Sequence, residues 1–502
     1  MSDGVHDVDV LIVGAGISGI GAAYRVQTRH PQRTYAIVES RDAIGGTWDL
    51  FRFPGIRSDS DMFTLGYPFR PWTESTAIAD GGSILRYVQE TAAEFGIDRH
   101  VHFGRTVAAA AWSSSRQRWT VDVRTSAGET EQWTCSFLFL CSGYYRYDQG
   151  YTPDLPGLAT FAGPTVHPQF WPEDLDVAGR RVVVVGSGAT AVTLVPALAE
   201  RGAQVTMLQR SPTWMISVPV RDPLAEALRR RLPTRVGNVA ARWKNVLFTQ
   251  AFYELCRRAP QAAKRMLRAG LTRALPDPTA LETDFNPRYD PWDQRLCAVP
   301  DADFFRAMRA GTAEVVTGQI AAVTPRGVTL ASGREVAADV LVTATGLQVL
   351  AWGGIAVTVD GAPVEAGDTL AYRGCLVSGV PNLAFCIGYI NASWTLRADL
   401  VARYVCRLLT HMDARGYGIA TPRSPGPMST RPLFDLTSGY VRRSLAVLPK
   451  QGSRSPWVLR QSYLPDRFDM DFGNVARDME FTGKVRGPAA PMVSTVGDQR
   501  PS

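Results

Sequence analysis

The sequence predicts an α/β protein built from two Rossmann-like domains, the second inserted in the first and itself carrying a helical insert. Three observations predict it. An apolar run, VDVLIV, leads directly into Gly14-x-Gly16-x-x-Gly19 and an alanine-rich segment. A second run, RVVVV, leads into Gly186-x-Gly188-x-x-Ala191 and another such segment. Finally, FLFLCSGYY (137–145) and VLVTATG (340–346) share one shape, an apolar strand ending in small residues and glycine, and they flank the second copy.

The bulk composition agrees with this plan. A chain of 502 residues is too long for one ordinary core. Its hydrophobic fraction of 45% and charged fraction of 20% are those of a soluble globular protein. The N-terminus is acidic before its apolar run and lacks a basic region, so no signal peptide is expected. No apolar run reaches the roughly 18 residues of a membrane span. The seven cysteines show no CxxC pair and no metal-like spacing, so no metal site is expected. Cys141 and Cys386 lie in strand-like runs and read as buried free thiols, which fits a reducing cytoplasm.

In the first unit, Gly14 permits a tight turn, Gly16 lets a pyrophosphate approach the backbone, and Gly19 lets helix pack on strand. The helix start then offers unpaired N–H groups to the phosphates. The next strand, TYAIVES, ends in Glu39, twenty residues after Gly19, where a carboxylate accepts hydrogen bonds from a ribose diol. The loop GGTWDLFRFPGIRSDSD (45–61) follows. Gly46 suits a backbone passing close to a cofactor ring, and Trp48 can pack against one. Asp59 closes the pattern G-G-x-W-x4-F-P-G-x3-D.

The second unit ends differently. Its second strand, QVTMLQRS, finishes in Arg210 and Ser211 rather than an acid. A cation and a hydroxyl at that place favour the 2′-phosphate of NADP over the free diol of NAD. Two unlike dinucleotide sites imply a flavin reduced by NADPH. The expected division is 1–146 and 347–502 for the FAD domain, 147–220 and 290–346 for the NADPH domain, and 221–289 for the helical insert. Between Leu228 and Arg273 the insert holds twelve Lys or Arg residues against one acid, Glu254, and explains much of the net charge of +7. A solvated helical subdomain is the expected reading, with weak peripheral contact to an anionic membrane as the minor alternative. No nucleic-acid module accompanies the charge.

Two patterns carry a resemblance to a known family. Phe161, Gly163, His167, Trp171 and Pro172 spell F-x-G-x3-H-x3-W-P, and the run from Gly46 to Asp59 spells a second fingerprint. The chain resembles the class B flavoprotein monooxygenases of the Baeyer–Villiger type, and within them a mycobacterial branch. PWDQRLCAVP, VTATGL and GYINASWTL extend the likeness, which runs from about residue 7 to about 460.

That resemblance implies residue roles. FAD would lie on Ser18, Glu39, Thr47, Trp48, Asp49 and Leu50, with Asp59 near the flavin and Val107 toward the adenine. NADP would lie along Gly186, Ser187, Gly188, Ala189, Thr190, Ala191 and Val192, with Arg210 and Ser211 at the 2′-phosphate. Arg57, Ser58 and Asp59 would approach the nicotinamide, and Arg295 matches the active-site arginine. Gln294 stands where related enzymes often carry lysine, which removes one charge from the phosphate site.

The implied activity is conversion of ketones to esters or lactones, with O2 as co-substrate, through a flavin C4a-peroxide. A fixed guanidinium such as Arg295 would stabilise the negative charge of that reaction, and Asp59 would hold the guanidinium in place. Sulfide oxidation is expected alongside. S- or N-oxygenation of thioethers, thioamides or amines on the same scaffold is the open alternative. A flavin disulfide reductase is disfavoured by the absence of CxxC, and a non-catalytic NADPH sensor by the presence of both Arg295 and Asp59. His167 lies in a stiff connector rich in proline and aromatic residues. It is expected to bond across the domain junction rather than to move protons.

Overall fold

The computed structural model describes residues 5–434 and 437–485. Strand His6–Val13 runs parallel between Tyr35–Val38 and Thr130–Leu140, and its last four residues are buried. A strand covered on both faces reads as a continuous apolar run, which is why no polar alternation marks it. Helix Ile17–Arg29 follows the glycine turn. Thr130–Leu140 pairs antiparallel with Arg118–Thr125, which pairs in turn with Arg105–Ser113. Beyond that pairing, Leu138–Leu140 takes Leu383–Phe385 as a parallel neighbour, so the last third of the chain returns to the first sheet. Helix Trp394–Arg415 packs there with Leu400, Val401, Tyr404 and Val405 buried.

The second sheet has five parallel strands. Their order is Ala313–Thr317, Gln204–Gln209, Arg181–Val185, Val340–Thr343, Thr165–Val166. A three-stranded antiparallel meander, Ile320–Ala337, covers one face with Val323, Val328, Leu330 and Val336. The chain crosses between the two sheets at Tyr145–Gly150 and returns at Leu347–Val349, and these two crossings pair antiparallel. The junction is therefore a two-stranded ribbon.

Both glycine turns are wedged by the strand beside them. Gly14 has φ +101°, and a Cβ there would sit 2.7 Å from the Cys141 carbonyl oxygen. Gly186 has φ +135°, and its Cβ would sit 2.3 Å from that of Ala344. Only glycine combines that conformation with that approach. The small residues ending FLFLCSG and VLVTATG are the other half of each contact.

The insert forms helices Pro223–Arg231, Thr234–Arg258, Pro260–Ala274 and Ala280–Asp284. It touches both domains. Leu267 and Leu271 join the core of the second sheet. The guanidinium of the half-buried Arg242 donates to the carbonyls of Phe63, Thr64 and Gly66 at 3.0, 3.2 and 2.7 Å. Lys244, Arg257, Arg258, Lys264 and Arg268 pair with Asp222, Asp293, Glu254, Asp290 and Glu282. Much of the basic charge is thus paired within the chain, largely at its surface. Among the described residues, no helix is long and apolar enough to cross a membrane. All seven cysteines are free and buried.

Candidate functional site: a cavity between two glycine loops

A cavity of about 590 Å3 lies where the two domains meet. Gly14, Gly16, Ser18, Glu39, Gly46, Thr47, Trp48 and Val107 line it from the first domain. Arg57, Ser58 and Asp59 continue that wall, and Ala189, Thr190 and Arg295 close it from the second domain.

The first domain's wall fits a flavin dinucleotide. Gly16 bridges to Gly45, and a Cβ on Gly46 would lie 3.0 Å from Gly16 Cα, so two bare backbone turns face the cavity together. Glu39, buried at the strand end, accepts from Ala15 N–H at 2.7 Å and from Arg41 N–H at 2.9 Å. The acid is thereby tied to the first glycine loop. Tyr147 also lines the cavity, and burial beside the Glu39 carboxylate pushes its phenol up to about 12. It stays protonated and can donate.

Arg295 Nη2 donates to Asp59 Oδ1 at 3.0 Å. Asp59 comes from the first domain's 45–61 loop, whereas Arg295 precedes strand Cys297–Pro300 in the second. Arg57 pairs with Asp303 in the same cross-domain sense. The F-P-G turn makes a third link: a Cβ at Gly55 would lie 2.6 Å from Ala197 Cβ of helix Ala189–Glu200. The loop that touches the cavity is thus also the loop that docks the domains. Next to the pair, burial pushes the Cys297 thiol up to about 12, so no thiolate competes there.

Other expected residues lie elsewhere. Gly19 stands behind the cavity wall, against the Gly14 carbonyl. Asp49 does not line the cavity; it takes Arg41 Nε at 2.7 Å and Arg52 Nη2 at 3.0 Å. Leu50 packs toward the second domain's core. The short helix Thr47–Leu50 explains both, because one turn sends successive side chains to different faces. Gly186, Ser187, Gly188, Ala191 and Val192 form the second turn and helix start outside the cavity. Arg210 and Ser211 are exposed at the end of Gln204–Gln209, and Ser187 Oγ donates to the Ser211 carbonyl at 3.2 Å.

Sequence reasoning singled out neither Trp394 nor Tyr144. Trp394 Nε1 donates to Ser18 Oγ at 2.7 Å, and its ring stacks on Tyr144 with centroids 5.4 Å apart. Both line the cavity. GYINASWTL and FLFLCSGYY contain them, so the only signal was an aromatic just past a small-residue strand end. His167 stands at the ribbon. Its Nδ1 accepts from Gln169 N–H at 3.2 Å, which leaves Nε2 to donate to the Gly346 carbonyl at 3.1 Å.

Comparison with known proteins agrees with this geometry. A family model described as flavin-binding monooxygenase-like matches residues 67–254, and one described as an NAD(P)-binding Rossmann-like domain matches 12–78. The FAD-containing monooxygenase EthA of Mycobacterium tuberculosis is 54% identical over 461 residues, covering 91% of this chain and 94% of its own. The solved structure of cyclohexanone monooxygenase with ε-caprolactone bound superposes with a TM-score of 0.74 at 22% identity, covering 95% of this chain and 100% of that one. Oxidised steroid monooxygenase bound to NADP superposes with a TM-score of 0.72 at 21% identity over the same shares.

Proposed function

The chain belongs to the FAD-containing monooxygenases, and from that premise we propose that it is of the class B, Baeyer–Villiger type, converting ketones to esters or lactones and oxidising sulfides as well. It is an enzyme that uses FAD and NADPH. One observation carries the ketone reading: the Arg295–Asp59 pair on the wall of the cavity into which both nucleotide-binding units open.

When bound and reduced by NADPH, FAD supplies the oxygen-activating chemistry. The chain's own residues supply the rest. Gly14, Gly16, Ser18, Gly46 and Glu39 hold the dinucleotide through backbone N–H groups, a hydroxyl and a carboxylate. Arg210 and Ser211 take the 2′-phosphate of NADPH, and Ala189 and Thr190 bring that domain's helix start to the cavity. Arg57 and Ser58 face the nicotinamide end. Arg295 stabilises the anionic charge that develops on oxygen, and Asp59 keeps its guanidinium aimed. Trp48, Trp394 and Tyr144 exclude water with their rings.

The division of the chain proposed from sequence accompanies this reading. Residues 147–220 and 290–346 serve NADPH, and 221–289 braces the junction. The seven buried free thiols support a cytoplasmic setting. The internal pairing of the insert's cations supports a solvated subdomain over peripheral membrane contact.

The test uses purified, flavin-loaded protein. Ketone-stimulated, NADPH-dependent oxygen uptake with ester formed, seen by mass spectrometry, is the expected result. Bound flavin without oxygen uptake would sink the monooxygenase reading. Sulfoxide from thioanisole with no ester from any ketone would instead favour S-oxygenation.

A further inference from the structure

Tyr147 stands on Tyr145–Gly150, the strand by which the chain leaves the first domain, and it lines the main cavity. A Cβ on Gly46 would lie 3.6 Å from its hydroxyl oxygen and 3.0 Å from Gly16 Cα. The phenol therefore reaches the place where the two bare turns face each other. The Thr47 side chain and the Glu39 carboxylate are its neighbours there. Glycine turns hold a dinucleotide's diphosphate through backbone N–H groups from one side. Tyr147 brings a side-chain donor to the same place from the domain crossing, and a phenolic O–H turns to suit its acceptor.

The strand that carries this tyrosine is pinned from behind. Gln169 is 3% exposed, and its Nε2 donates to the carbonyls of Arg146 and Tyr147, both at 2.8 Å. Carbonyls can only accept, so the two bonds set the amide's orientation and fix two successive peptide units. Gln169 lies inside F-x-G-x3-H-x3-W-P, at a position the pattern leaves open. The segment thus grips both halves of the ribbon. His167 bonds the returning chain at Gly346, and Gln169 bonds the outgoing strand.

We propose that Tyr147 is a clasp on FAD, donating its hydroxyl hydrogen to the diphosphate of the bound cofactor, with Gln169 as the positioning residue that holds the clasp in place. The connector between the domains then acts on cofactor retention through one side chain. This concerns how FAD is kept, and it stands whether the substrate is a ketone or a sulfide.

The test follows FAD leaving the holoenzyme after dilution into flavin-free buffer, read as the rise in fluorescence of released flavin. Tyr147→Phe keeps the ring and removes one oxygen. It should release FAD about tenfold faster or more, the range of a hydrogen bond to a charged group. Gln169→Met fills similar space without a donor and should also speed release. Because Gln169 acts through the Tyr147 hydroxyl, the double variant should fall short of the product of the two single effects. Release from Tyr147→Phe at the parent rate would overturn the clasp. Single effects that multiply in full would overturn the part given to Gln169, since a residue that only supports the fold adds its cost whatever stands at position 147.

Discussion

Arg295 and Asp59 meet at 3.0 Å across 236 residues of sequence and across the boundary between two sheets. Neither element holds both. The pair exists because the 45–61 loop of the first domain packs on helix Ala189–Glu200 of the second through Gly55. A guanidinium fixed by a carboxylate reaches the reaction already oriented, so no reorganisation is needed when charge develops.

Arg295→Ala should lower ester formation about 100-fold or more, the loss typical of one preorganised donor. Reduction of bound flavin by NADPH, followed by stopped-flow absorbance, should stay near the parent rate. Ester formation at the parent rate would remove Arg295 from the chemistry. Asp59→Asn should fall between the two, because the arginine keeps its charge but loses its ionic partner.

Arg210 lies exposed at the end of its strand, where a phosphate can reach it. Arg210→Ala should raise KM for NADPH by roughly ten- to a hundredfold, the range of a charge-assisted hydrogen bond. KM for NADH should change little. An equal rise for both cofactors would show that Arg210 is not reading the 2′-phosphate.

The wedged glycines offer a test of separate nucleotide sites. Gly14→Ala forces a Cβ against the Cys141 carbonyl and should cost the protein its FAD, seen as colourless protein after purification. Gly186→Ala makes the corresponding clash with Ala344 and should leave a yellow protein that NADPH reduces slowly. Flavin loss in both variants to the same degree would argue against this assignment.

His167 predicts a pH effect. Burial holds its imidazole below the ordinary value, against the pull of backbone bonds to Gly346 and Tyr151. As pH falls below about 6.5 the unfolded chain takes up the proton first, so His167 subtracts stability from there down to its folded value. Asn at this position should flatten that slope. Melting temperature between about pH 7 and pH 5 should therefore fall less in His167→Asn than in the parent. The same variant should keep its FAD yet release more hydrogen peroxide per NADPH, because the ring ties the incoming chain to the returning ribbon. Loss of FAD without a change in coupling would contradict that role.

Much of the plan was legible because its signals are local. VDVLIVGAGISG and RVVVVGSGATA each carry strand, turn and helix start within a dozen residues, and glycine spacing is set by close contacts inside that unit. Two readings were less sharp. Thr47 to Leu50 read as one block beside the flavin, but a helical turn directs only Thr47 and Trp48 to the cavity. The basic insert read as a solvated face, but Arg242 is half-buried and turned onto three carbonyls of the first domain. A count of cations along a helix does not reveal which of them meet acceptors on another domain.

The sequence by itself determined two strand–glycine-turn–helix units, one followed by a strand ending at Glu39 and one by a strand ending at Arg210 and Ser211, and the fingerprints that tie the chain to the flavin monooxygenases. These depend on backbone conformation, hydrophobic period and side-chain type over short spans. Tertiary structure alone decided that Arg295 meets Asp59 and that Trp394 bonds Ser18. Such contacts join residues hundreds of positions apart: docking of one domain on the other brings Arg295 to Asp59, and the return of the last third of the chain to the first sheet brings Trp394 to Ser18.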